Sequence, residues 1–119
     1  VTHLFVYGTL KRGGENHLHL AGQRFLGAAA TGPGFTLHGL TGFPGMVRAT
    51  DAPEGVTGEL WEIDAACLRT LDILEGIAEK LYERVPLTLL PPFSDLPAET
   101  YLYLRSLEGR PRLGSTWVV

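Results

Sequence analysis

Apolar residues come in short runs broken by glycine and proline, and the runs read mainly as strands. His3 to Tyr7 predicts a buried first strand, because the apolar stretch Leu4-Phe5-Val6 ends at a glycine turn. Asn16 to Ala21 predicts a short helix with Asn16 as its N-cap. Arg24 to Ala30 and Phe35 to Leu40 predict strands on either side of the Thr31-Gly32-Pro33-Gly34 turn cluster. Phe43-Pro44-Gly45-Met46-Val47 opens another strand, with Pro44 at its start. From Val56 to Ile63, Val56, Gly58 and Leu60 share one face, and Thr57, Glu59, Trp61 and Ile63 the other. Both faces carry apolar residues, so this strand is buried on both sides or curves around a cavity.

Asp64 is then expected to cap the clearest helix, in which Leu68, Leu71 and Leu74 recur every three residues with Cys67 beside them. Gly76 is its stop signal. Tyr82 to Leu90 predicts a strand in which Pro86 removes a ladder donor, which places it at an edge or a bulge. Pro91 to Asp95 is a loop, Glu99 to Leu104 alternates as the last strand, and Glu108 onward is irregular until Trp117. Many short strands with one or two helices predict an α+β fold. Glycine-rich turns and strands apolar on both faces extend this to a small barrel, closed or nearly closed, with the helix after Ile63 packed on its side.

The 119 residues fit one domain, 1–119, with one core. No apolar run reaches the roughly 20 residues of a spanning helix. The first residues lack the basic start and small-residue exit of a signal peptide. Cys67 is the single cysteine, so neither an internal disulfide nor a multi-cysteine zinc site is expected, and the cytoplasm is the default compartment. The net charge is −3 with dispersed Lys and Arg, which argues against nucleic-acid and anionic-membrane partners.

Two segments carry candidate chemistry. Tyr7-Gly8-Thr9-Leu10 follows a strand directly, and successive N–H groups in such a turn can form an anion-binding nest. An ordinary strand-to-loop turn fits the same four residues, and the second glycine and Lys-Ser/Thr of a P-loop are missing. Glu75 lies at the helix end, where the dipole disfavours a carboxylate. That placement and an apolar cavity both raise a carboxyl pKa, which suits a general acid or base, although a solvated surface glutamate is the plain alternative. Asp72, one turn earlier, is expected to be structural. Arg84 can pair with Glu75, with Asp72 or with a substrate carboxylate, and a buried partner such as Arg84 would explain Glu59. The four tyrosines offer hydroxyls to a pocket or simply pack. The spacing of the histidines predicts no metal, Cys67 reads as core, and no Gly-x-Ser-x-Gly elbow is present.

The ordered set Tyr7-Gly8-Thr9-Leu10-Lys11-Arg12-Gly13, Asn16-His17, Phe43-Pro44, Val56-x-Gly58-Glu59-Leu60, Leu71-Asp72-x-x-Glu75-Gly76 and Tyr82-x-Arg84 resembles the γ-glutamylcyclotransferase-like family. It is most similar to the γ-glutamylamine cyclotransferase (AIG2-like) branch. The resemblance implies a small mixed β-barrel with flanking helices, with Tyr7, Gly8, Thr9 and Leu10 binding the glutamyl end of a small-molecule γ-glutamyl substrate. It implies Glu75 as general acid/base, Tyr82 and Arg84 lining or bracing the cavity, and conversion of an L-γ-glutamyl amine or amino acid to 5-oxoproline without metal or cofactor. Trp117 resembles a tryptophan common near the family's C-terminus. Pro86 and the short stretch after Trp117 depart from the pattern and bear on the pocket rim. A non-catalytic binding module or a Glu-dependent amide hydrolase on the same fold remain alternatives, as do monomer and homodimer.

Overall fold

The computed structural model describes all 119 residues. Its strands are β1 (Thr2–Val6), β2 (Arg24–Ala30), β3 (Phe35–Gly39), β4 (Pro44–Arg48), β5 (Thr57–Ile63), β6 (Tyr82–Leu87), β7 (Ala98–Tyr103) and β8 (Arg112–Gly114). A 3-10 turn spans His17–Leu20, and the one α-helix, α1, spans Ala65–Leu74. The α+β expectation holds. No helix is long and apolar enough to cross a membrane.

The strands form two sheets rather than a barrel. One has the order β2-β5-β1-β7-β6 and the other β4-β3-β8. Closure would require β2 to pair with β6. Pro86 lies in β6, where its missing N–H suits an outer position, and β6 pairs on one side only, with β7. The predicted edge strand is thus real; beyond β2 and β6 only the isolated Thr31–Leu89 bridge and the Leu90 amide bond to Ala30 O link the two edges, so the large sheet stays open.

Both faces of the large sheet are covered, which explains the two-sided apolar pattern of β5. Leu4, Val6, Trp61 and Ile63 face Cys67 and Leu71 of α1 and Leu20 of the 3-10 turn in one core. Phe5, Val56, Leu60 and Leu102 face Leu37 and Met46 of the small sheet in a second core. The period-2 alternation of each strand assigns its residues to the two cores. β5 lies between β2 and β1, antiparallel to both, and β1 runs parallel to β7.

Local chemistry sets the helix ends. Asp64 accepts a 2.7 Å hydrogen bond from the Cys67 amide, as an N-cap should. At the other end Gly76 adopts φ +65°, the Ile77 amide donates to Asp72 O, and the Gly76 amide donates to Ile73 O. This pair of bonds is a Schellman motif, which needs a residue free to turn left-handed. Asn16 differs from expectation. Its side chain makes no cap bond and instead donates from Nδ2 to Thr9 Oγ1 at 3.0 Å. β8 lies in the stretch read as irregular, because three residues of exposed or half-buried character carry too little pattern to mark a strand.

Candidate active site

A cavity of about 230 Å³ opens between the end of β1, the C-terminal end of α1 and the starts of β4 and β6. Tyr7, Gly8, Thr9 and Leu10 line it, with Glu75, Tyr82 and Tyr101. Most of the remaining wall is apolar, from Phe5, Val6, Phe43, Pro44, Leu74 and Leu81. Glu75 is the one carboxylate among the lining residues.

The Tyr7–Leu10 turn is held from its far side. The Lys11 amide donates to Gly8 O at 3.1 Å and the Asn16 amide to Thr9 O at 2.9 Å. The amides of Tyr7, Gly8, Thr9 and Leu10 donate to no backbone or side-chain acceptor. Four successive donors bordering a cavity are an incomplete hydrogen-bond account that an anion can complete. Gly8 is required here by packing. A Cβ at this position would lie 2.7 Å from Pro44 Cγ and 2.9 Å from Pro44 Cδ, and a proline ring yields little.

Glu75 is the C-cap residue of α1, held by its own amide bond to Leu71 O and by the Schellman turn after it. Burial pushes its carboxyl up to about 7. No hydrogen bond or ion pair to its carboxylate offsets that cost. Three phenols surround it. Their hydroxyls are engaged elsewhere: Tyr7 with Tyr101 O at 2.7 Å, Tyr82 with Pro44 O at 2.8 Å, and Tyr101 with Asp72 Oδ1 at 2.7 Å. Burial, reinforced by the nearby Glu75 charge, raises all three phenol pKa values, so they remain protonated donors. The tyrosines therefore shape the wall, and Glu75 is the one lining group whose carboxyl titrates near neutrality.

Arg84 stands apart from the cavity lining. Its guanidinium grips Asp72 through Nε at 3.0 Å and Nη2 at 3.2 Å, and reaches Glu99 through Nη1 at 2.6 Å. Two carboxylates thus occupy its donor fork, and Arg84 ties α1, β6 and β7 together from outside the residues that line the cavity. Asp72 is structural as expected, through side chains rather than a backbone group. The expectation for Glu59 is corrected. Its partners are Arg12 and Trp61, not Arg84, because Arg84 lies on β6 at the other side of the sheet. Cys67 is buried, and its thiol faces His19 O at 3.5 Å.

A family model described as gamma-glutamyl cyclotransferase, AIG2-like, matches residues 4–118. The chain belongs to this family. A Vibrio cholerae relative is 39% identical over 74 residues, 62% of either chain. The rat γ-glutamylaminecyclotransferase is 35% identical over 94 residues, covering 73% of this chain and 62% of that protein. The chain therefore spans less than two thirds of these relatives' length. The crystal structure of a mouse AIG2-like protein superposes with a TM-score of 0.80 at 29% identity, over 98% of this chain and 88% of that one.

Of the residues expected at the site, Tyr7, Gly8, Thr9, Leu10, Glu75 and Tyr82 line one cavity, and Arg84 does not. Sequence reasoning did not give Phe43, Pro44 and Leu81 a place in the wall. Phe43 and Pro44 were visible as part of the family pattern, but no local signal says that they face a cavity. It also missed the role of Arg12, whose exposed character in sequence hides a tie to β5.

Proposed function

We propose that the chain is a γ-glutamyl cyclotransferase acting on an L-γ-glutamyl amine or amino acid, with Glu75 as general acid/base. One observation carries this reading: a single carboxylate, held near neutrality by burial, shares a cavity with four unpartnered backbone amides. The family names of the relatives support the same chemistry.

The substrate contains both nucleophile and electrophile, so the protein's main task is to hold the cyclising conformer. The amides of Tyr7 to Leu10 bind the glutamyl carboxylate or the oxyanion that develops on the γ-carbonyl. Glu75 removes a proton from the α-ammonium. The freed amine attacks the γ-carbon, and the ring closes. As the γ C–N bond breaks, Glu75 returns that proton to the leaving nitrogen, and the second proton shed by the ring nitrogen as it becomes an amide is taken up by the departing amine, which leaves as an ammonium. The products are 5-oxoproline and the free amine, and no water is consumed. A carboxyl titrating near 7 accepts and returns a proton at neutral pH with little driving force lost in either direction.

The test compares wild type with Glu75→Gln on a panel of γ-glutamyl amines and γ-glutamyl amino acids, with products read by mass spectrometry. The expected result is 5-oxoproline from wild type and turnover lower by roughly 100-fold or more in the variant. Free glutamate would replace cyclisation with hydrolysis. Saturable binding without product would make the cavity a binding module. A variant as fast as wild type would remove Glu75 from the mechanism.

A further inference from the structure

Glu59 is a carboxylate in a central strand, 9% exposed, and it does not line the cavity. Such a group is costly to bury unless it is fully paired. Both of its oxygens are engaged. Oε1 accepts the Arg12 amide at 3.0 Å and the Trp61 indole N–H at 3.2 Å, and Oε2 accepts Arg12 Nε at 3.1 Å. Burial alone would raise its pKa, but these bonds hold the carboxyl below its ordinary value, so it stays charged. The Arg12 guanidinium also sits 3.8 Å over the Phe25 ring. One carboxylate thus fixes both the backbone and the side chain of Arg12.

Arg12 follows the four unpartnered amides by two residues. Trp61 reaches the same side of the segment through His17. Its ring packs on His17 at 5.4 Å, and His17 Nδ1 lies 3.0 Å from Leu10 O. Glu59 and Trp61 are two apart on β5 and therefore face the same side of the sheet. Together they hold the C-terminal side of the turn, at Leu10 through His17 and at Arg12 directly. A tethered loop presents its amides without being ordered by the ligand, which removes an entropic cost of binding.

We propose that Glu59 is a positioning residue that clamps the Tyr7–Gly14 loop through Arg12 and so pre-forms the amide cradle of the cavity. For what the cradle holds, this rests on the cyclotransferase reading. For the clamp itself it does not.

The experiment uses the full chain and the variants Glu59→Gln, Arg12→Ala and Arg12→Lys, with two readouts. Amide hydrogen exchange followed by NMR should show Arg12 and Gly14 exchanging about tenfold faster or more in Glu59→Gln and Arg12→Ala, with β1 and β5 unchanged. Steady-state kinetics on the γ-glutamyl panel should show KM rising about tenfold in both, with a smaller change in kcat and an unmoved pH midpoint. Arg12→Lys, which keeps the charge, should recover part of the KM loss. A lower Tm with unchanged KM and unchanged loop exchange would reduce Glu59 to a stabilising residue and overturn the proposal. If wild type processes no γ-glutamyl compound, the cyclotransferase reading falls, and amide exchange alone decides the clamp. If Glu59→Gln does not fold, Arg12→Ala, which leaves β5 intact, decides it.

Discussion

At the scale of the residue, Glu75 combines two facts that pull against each other. Its carboxyl is placed where ionisation is costly, and the proposed reaction needs that ionised form. Burial lifts its pKa from the ordinary 4.5 to about 7. The folded state therefore binds this proton more tightly than the unfolded chain between those two values. Stability contributed by the neutral carboxyl is present below 4.5 and is lost as pH rises through about 7. Glu75→Gln lacks that loss. Denaturant unfolding at pH 8 should show the variant more stable than wild type by about 1–3 kcal/mol, allowing for screening at a part-buried site. The gap should close near pH 4. Turnover by wild type should fall as pH drops through about 7, because the protonated carboxyl cannot accept the α-ammonium proton. Equal stability of the two proteins at pH 8 would mean that Glu75 is solvated. The sequence led to a raised Glu75 pKa from the helix dipole and an apolar cavity, and burial is the cause the structure supplies.

At the scale of the element, the end of α1 shows how a local motif places a functional group. Asp64, the leucine spacing and Gly76 were all legible, because caps and stops act over a few residues. The Schellman bonds of Gly76 and Ile77 fix the rotation of the last turn, and with it the direction of Glu75. Gly76 has φ +65°, and a Cβ there would meet Leu81 Cβ at 3.1 Å. Gly76→Ala is expected to cost about 1–2 kcal/mol by thermal unfolding and to lower kcat more than it raises KM. An effect on KM alone would indicate that the helix end serves only to close the cavity. Other elements were less legible. The capping role expected of Asn16 went to no residue, because its amide was recruited by Thr9 across the loop. β8 is three residues long and takes its identity from pairing with β3.

At the scale of the whole molecule, the site depends on contacts between distant segments. Arg84 joins α1, β6 and β7 through Asp72 and Glu99, and Asp72 in turn holds the Tyr101 hydroxyl at the cavity wall. Arg84→Lys keeps the charge and loses the fork. It should lower stability by about 1–2 kcal/mol in chemical denaturation and leave KM within about twofold. A large rise in KM at intact stability would return Arg84 to the substrate. The sequence by itself determined the strands with strong alternation, the helix and its two ends, the edge character of Pro86, and the ordered motif set that marks the family. Those features are encoded by neighbours within a few positions, where periodicity, caps and backbone preferences act. Only the tertiary structure decided that the sheets stay open, that Arg84 pairs with Asp72 and Glu99, that Glu59 pairs with Arg12, and that Phe43 and Pro44 wall the cavity. Each of these depends on which residues far apart in the chain come to lie side by side. A charged side chain's partner is set by that packing, and the residue type alone leaves several partners equally good.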